Sequence, residues 1–139
     1  MERSDGPDAD MLATVERVAR FMETLDAANL NATFADRDVT IIENFAPFVF
    51  TGPSAVESWT KEFRAHAEGF AQLHHTFGTA QDFGRSGDRA FFSLPTTWTG
   101  LNHGKRFSEN GGWAFVLLKQ NDGWRIQNYA WAVTAMSTP

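Results

Sequence analysis

The chain has 139 residues and a mass of 15.5 kDa, which fits one domain and leaves little room for a second. Twelve basic against seventeen acidic side chains give a net charge of −5, and no Lys/Arg cluster longer than Lys105-Arg106 occurs, which argues against nucleic acid or a membrane surface as partner. With no cysteine the chain has no disulfide, thiolate nucleophile or thiolate metal site, and with 13 Phe, 5 Trp and one Tyr it is equipped to line an apolar space.

The first ten residues carry four acidic groups with Ser, Gly and Pro, and read as a frayed tail before a domain spanning 11–135. They contain no apolar signal-peptide core, and no run approaches the ~20 residues that span a bilayer, so the expected location is the cytoplasm. Asp10 is placed to cap a helix whose stripe, Leu12, Val15, Val18, Ala19, Met22 and Leu25, carries it to about Ala28. Asn29 then caps a short second helix through Phe34.

Val39 to Phe45 is β-branched and bounded by polar residues, the pattern of a strand. Pro47 interrupts it, and Phe48 to Phe50 forms a second short strand. A third helix starts at Pro53, with capping-box spacing from Ser54 to Glu57 and a stripe of Val56, Trp59, Phe63, Ala67 and Phe70 bordered by His66. From Gln72 the pattern changes to four long runs: Leu73 to Phe83, Arg89 to Thr99, Lys105 to Lys119 and Trp124 to Val133. Hairpin signals at Arg85–Asp88, Asn102–Gly104 and Asn121–Gly123 separate them. The class is α+β, a curved antiparallel meander with helices on one face. Both faces of segments such as Phe115–Leu118 are apolar, so the uncovered face calls for a second copy of the sheet and hence a homodimer.

Among the carboxylates, Glu43 stands out. Alternation puts Val39, Ile41, Glu43 and Phe45 on one strand face, where a desolvated carboxylate is driven toward neutrality and suits a general base. The structural alternative is a Glu bonded to a backbone donor or an Arg. In His74-His75 only one ring can enter a pocket, and His75 shares the parity of the apolar Leu73 and Phe77. The pair splays its rings apart and no third ligand accompanies it, so no metal site is expected. Arg37 between Asp36 and Asp38 reads as a solvated turn, and His103 as a hairpin tip. Phe21, Trp59, Phe63, Trp98, Trp113, Asn128 and Trp131 are the candidate ligand-contacting residues, with Asn128 sharing a face with Trp124 and Ile126.

Residues 34–42 (Phe34-Ala35-Asp36-Arg37-Asp38-Val39-Thr40-Ile41-Ile42), Gly52-Pro53-Ser54-Ala55-Val56 and Asp122-Gly123-Trp124-Arg125-Ile126 resemble the nuclear transport factor 2-like superfamily, in its SnoaL-like and ketosteroid-isomerase-like branch. The resemblance spans roughly residues 11–134 and implies a cone-shaped barrel, three N-terminal helices wrapped by a strongly bent, mostly antiparallel sheet. It implies a pocket at the open end that serves isomerases, polyketide cyclases, dehydratases, epoxide hydrolases and non-catalytic binders, so fold does not fix function. Glu43 falls where ketosteroid isomerases hold their proton-shuttling aspartate. Phe21 and Phe115 fall near the positions of that family's two oxyanion donors, and neither has a donor to offer. The expectation is a small apolar, carbonyl-bearing ligand, handled without cofactor by Glu43 as base with His75 or Asn128 assisting. The alternatives are a non-catalytic ligand-binding dimer and a protein-interaction dimer.

Overall fold

The computed structural model describes residues 6–121 and 123–137. Helix α1 runs Ala9–Thr24, and its N-cap is Asp8, whose carboxylate accepts from the Met11 amide at 2.9 Å; Asp10, the expected cap, lies in the first turn. Of the expected tail, Ala9 and Asp10 lie in α1, and residues 1–5 lie outside the described residues. The helix stops four residues before the expected Ala28 because Leu25 adopts the left-handed conformation (φ 59°) and caps it, its amide bonding the Phe21 carbonyl. The expected second helix is one 3-10 turn, Ala27–Leu30, capped by Asp26 and not by Asn29.

Strands β1 (Thr40–Ile42) and β2 (Val49–Thr51) form a short antiparallel pair, with Glu43 just past the end of β1. Helix α2, Ala55–His66, begins where the Gly52–Ser54 signal predicts, but the Ser54 side chain makes no capping bond. It buries Ala55, Trp59 and Phe63, while Phe70, expected on its stripe, opens β3 instead. Among the described residues there are two α-helices where three N-terminal ones were expected, and α2 follows the first two strands.

The meander comprises β3 (Phe70–Phe77), β4 (Gln81–Ser86), β5 (Arg89–Asn102), β6 (Lys105–Gln120) and β7 (Gly123–Ser137). The expected run from Leu73 to Phe83 is thus two strands, β3 and β4, which pair with different stretches of β5. The β5–β6 hairpin turns at His103 and Gly104, both with positive φ, the backbone that lets a two-residue turn follow strand twist. The β6–β7 turn includes Asp122, which lies outside the described residues. Sheet order is β2-β1-β7-β6-β5-β3, antiparallel except for the parallel β1–β7 contact. None of the described helices is long and apolar enough to cross a membrane.

The α1 stripe packs inside the bend with Trp59, Trp113, Tyr129, Phe21, Phe92 and Phe115, all fully buried. Two sheet irregularities shape this interior. Val116 pairs with Asn128 but Leu117 with Ile126, so β7 gains one residue at Gln127 and its alternation inverts. Gly111, on the inner side of β6, takes no side chain because a Cβ would come within 2.4 Å of both the Trp131 ring and the Ala132 carbonyl.

Candidate functional site

The open end of the bent sheet encloses a cavity of about 520 Å³. Its inner wall includes Glu43, Met22, Phe63, Trp98, Trp113 and Trp131; its mouth carries His66 with the exposed Asn102, His103, Lys105 and Arg106. Of the nine residues singled out from the sequence, Glu43, Phe63, Trp98, Trp113 and Trp131 come together here.

Glu43 is only 5% exposed and forms no ion pair among the described residues. One oxygen, Oε2, accepts from the Trp59 indole at 2.9 Å and from the Tyr129 hydroxyl; Oε1 receives no hydrogen bond from the described residues and is the oxygen left for the cavity. Removal from water pushes the carboxyl up to about 7. The bonds from Tyr129 and Trp59 pull the other way, and the Glu109 charge adds to the rise. Burial and the Glu43 charge hold the Tyr129 hydroxyl far above its ordinary value, so it stays a donor. The group is poised between acid and base near neutrality, with a fixed orientation.

The other four sequence candidates lie outside the cavity lining. Trp59 is fully buried behind Glu43 and acts on it through the indole, a positioning role in place of the expected ligand contact. Phe21 belongs to the core, 5.5 Å from the Trp59 ring and with the Arg64 guanidinium 5.4 Å over its face. Asn128 points away because the extra residue at Gln127 inverts the strand and presents Tyr129 inward. His75 faces α1: its Nδ1 lies 2.6 Å from Glu23 Oε2 and its Nε2 2.9 Å from Glu16 Oε1. Glu23 also accepts from the His75 amide at 2.8 Å. Held between the two carboxylates, the ring staples β3 to α1 and is not part of the cavity lining. Its neighbour His74 is exposed, and Arg37 forms a solvent-exposed contact with Asp36 at 3.6 Å, as expected of a turn.

Four features went unrecognised in the sequence. Tyr129 was hidden by the bulge, since no local pattern announces it. Glu109 lines the cavity and is raised by burial; its parity with Trp113 and Phe115 on β6 was a usable signal. His103 was expected to be merely solvated, yet the β5–β6 turn brings it to the mouth. Lys105 and Arg106 join it there and form no ion pair among the described residues. His66 stacks on Phe45 with centroids 4.5 Å apart, and burial lowers its basicity. Among the described residues no group of three or more His, Asp or Glu is placed to hold a metal ion.

An open, strongly bent sheet wrapped over a long helix is the fold this chain shares with nuclear transport factor 2-like proteins. The chain belongs to the SnoaL-like domain family, whose model matches residues 8–130. No curated protein matches it. A nuclear transport factor 2-like superfamily protein from Salmonella enterica serovar Typhimurium superposes with a TM-score of 0.73 at 15% identity, over 90% of this chain and 89% of that one. The hexachlorocyclohexane dehydrochlorinase LinA-type3 of Novosphingobium barchaimii LL02 gives 0.79 at 8%, over 94% and 88%. A protein described as a scytalone dehydratase, from Novosphingobium aromaticivorans, gives 0.75 at 13%, over 94% and 85%. At these identities the likeness is one of fold.

Proposed function

We propose that the chain is a cofactor-free acid–base enzyme acting on a small apolar, carbonyl-bearing molecule, with isomerase, cyclase or dehydratase chemistry started by Glu43. The observation that carries this reading is the state of Glu43: buried, without a cation, anchored through one oxygen and free at the other. A structural carboxylate is stabilised as the ion by a cation; here burial instead raises it to about 7, where a base is half-available at neutral pH and strong enough to take a proton next to a carbonyl. The step breaks the α C–H bond, places the proton on Oε1 and sends the electron pair toward the carbonyl oxygen. Return of the proton to a different carbon gives isomerisation; loss of a β-leaving group gives elimination, the reaction class that the names of two fold neighbours describe.

The test uses 2-tetralone, a small apolar ketone with acidic α-hydrogens, in deuterated buffer. Mass spectrometry should register protein-catalysed α-exchange whose rate rises with pH and levels off above about pH 7, the ionisation of Glu43. No acceleration over buffer at any pH, with the ketone bound, would leave a non-catalytic binder.

The proposed assembly is a homodimer through the outer face of the sheet. Cross-strand partners Ser93–Ala114, Pro95–Gly112, Ala114–Ala130, Gly112–Ala132 and Val116–Asn128 form a continuous uncharged surface of small side chains beside Phe91, which is 39% exposed. Sedimentation at micromolar concentration should give twice the 15.5 kDa chain mass, and Ala114→Glu should return it to the monomer. A wild-type monomer would remove the interface.

A further inference from the structure

The cavity carries opposite charge at its two ends. Among the described residues its acidic lining groups, Glu43 and Glu109, belong to the wall, whereas Lys105 and Arg106 stand at the mouth. Both cations are exposed and form no ion pair among the described residues, in a chain with a net charge of −5. The mouth is also held in place. The β5–β6 turn folds onto the connection after α2, where the His103 amide donates to the Gly69 carbonyl at 2.8 Å. Glycine permits this approach: a Cβ at Gly69 would stand 2.6 Å from the His103 ring and 2.8 Å from the Asn102 side-chain oxygen.

Lys105 follows this turn on the same face of β6 as Phe107 and Glu109. Four residues of strand set its backbone about 13 Å from that of Glu109. Between them the Phe70 and Phe107 rings, with centroids 5.6 Å apart, supply apolar wall. A ligand lying along this face therefore meets cations first, then aromatic rings, then carboxyls. Burial raises both carboxyls above their ordinary range, so the interior resists a further ionised acid. At the mouth an anion keeps part of its water and meets an ammonium and a guanidinium ready to donate to it.

We propose that Lys105 and Arg106 form an anion subsite at the cavity mouth, which takes the carboxylate of a ligand whose apolar, carbonyl-bearing part enters toward Glu43. The inference builds on the ligand class proposed above and narrows it, from a small apolar ketone to an amphipathic oxo acid with a ring-sized apolar body between its two polar ends. It also sets the direction of entry: the carbonyl goes in first and the acid stays at the rim.

The probes are 2-tetralone bearing a carboxylate on its aromatic ring, at the end remote from the ketone, and the methyl ester of that acid, which keeps the ring system and loses the charge. Calorimetric titration should show the acid binding the wild-type protein about ten-fold more tightly than the ester, a preference that shrinks as salt is raised from about 20 to 300 mM. In Lys105→Gln combined with Arg106→Gln the preference should fall to about two-fold or less. The control, Arg85→Gln combined with Lys119→Gln, removes two cations that lie over Trp124 outside the cavity lining, and should keep the wild-type preference. Equal affinity of acid and ester for the wild-type protein, no binding of the acid at millimolar concentration, or an equal loss of preference in the control would each overturn the inference. Calorimetry registers binding and not proton removal, so the two readings fail separately. An acid preference without ketone exchange in either probe removes Glu43 as base and keeps the subsite; exchange in both probes with no acid preference removes the subsite and keeps the base.

Discussion

Replacing Glu43 by glutamine is expected to abolish ketone exchange and, above pH 7, to stabilise the protein. The two effects have one cause. A glutamine carbonyl can take the place of Oε2 and accept from both Trp59 and Tyr129, so the packing and both hydrogen bonds survive while the proton acceptor is lost. Loss of a positioned general base costs on the order of 100- to 10,000-fold in rate. In the unfolded chain Glu43 ionises near 4.5 and in the folded protein near 7, so the native state holds the extra proton across this window. Stability therefore falls as pH rises from 4.5 to 7, and the ionised group costs about 3 kcal/mol above it. Glutamine carries no such penalty. Thermal melts should show the variant higher than wild type by roughly 5–10 °C at pH 8 and equal to it below pH 5. A variant that is less stable at pH 8 would mean that the carboxylate is a structural anchor and not a strained functional group.

The second large effect is expected from Tyr129→Phe. The phenol hydrogen bond favours the carboxylate form of Glu43, so its removal should raise the ionisation of Glu43 further. The rise of the exchange rate with pH should then be displaced upward by about one pH unit, the worth of a hydrogen bond to a charged group. At pH 6 the variant should be roughly ten-fold slower than wild type, and at pH 9 the two should converge. A purely structural role would lower the rate by one factor at every pH. Uniform loss across the profile would therefore remove Tyr129 as the group that sets the base strength.

These two variants also separate what each level of description contributed. Glu43 was legible because period-2 alternation survives locally: Val39 and Ile41 are buried, and Glu43 continues their face beyond the end of β1. The α2 anchors Trp59 and Phe63 were legible for the same reason at helical period, and the hairpin turns because their backbone demands particular residues. The role of Trp59 was not, since the distinction between touching a ligand and holding the residue that does depends on what lies across the cone.

The aromatic composition and the alternating strands by themselves determined an α+β meander with an apolar interior and the Glu43 carboxylate facing it. Tertiary structure decided the chemistry around that carboxylate. One inserted residue at Gln127 exchanges Asn128 for Tyr129 on the inner face, and a period-2 reading has no access to a bulge defined by pairing with β6. His75 left the site because its acceptors, Glu16 and Glu23, lie on a helix more than fifty residues away in the chain. Local periodicity fixes which side a residue faces; only the partners brought from distant segments fix whether it lines the cavity, holds a neighbour in place or staples two elements together.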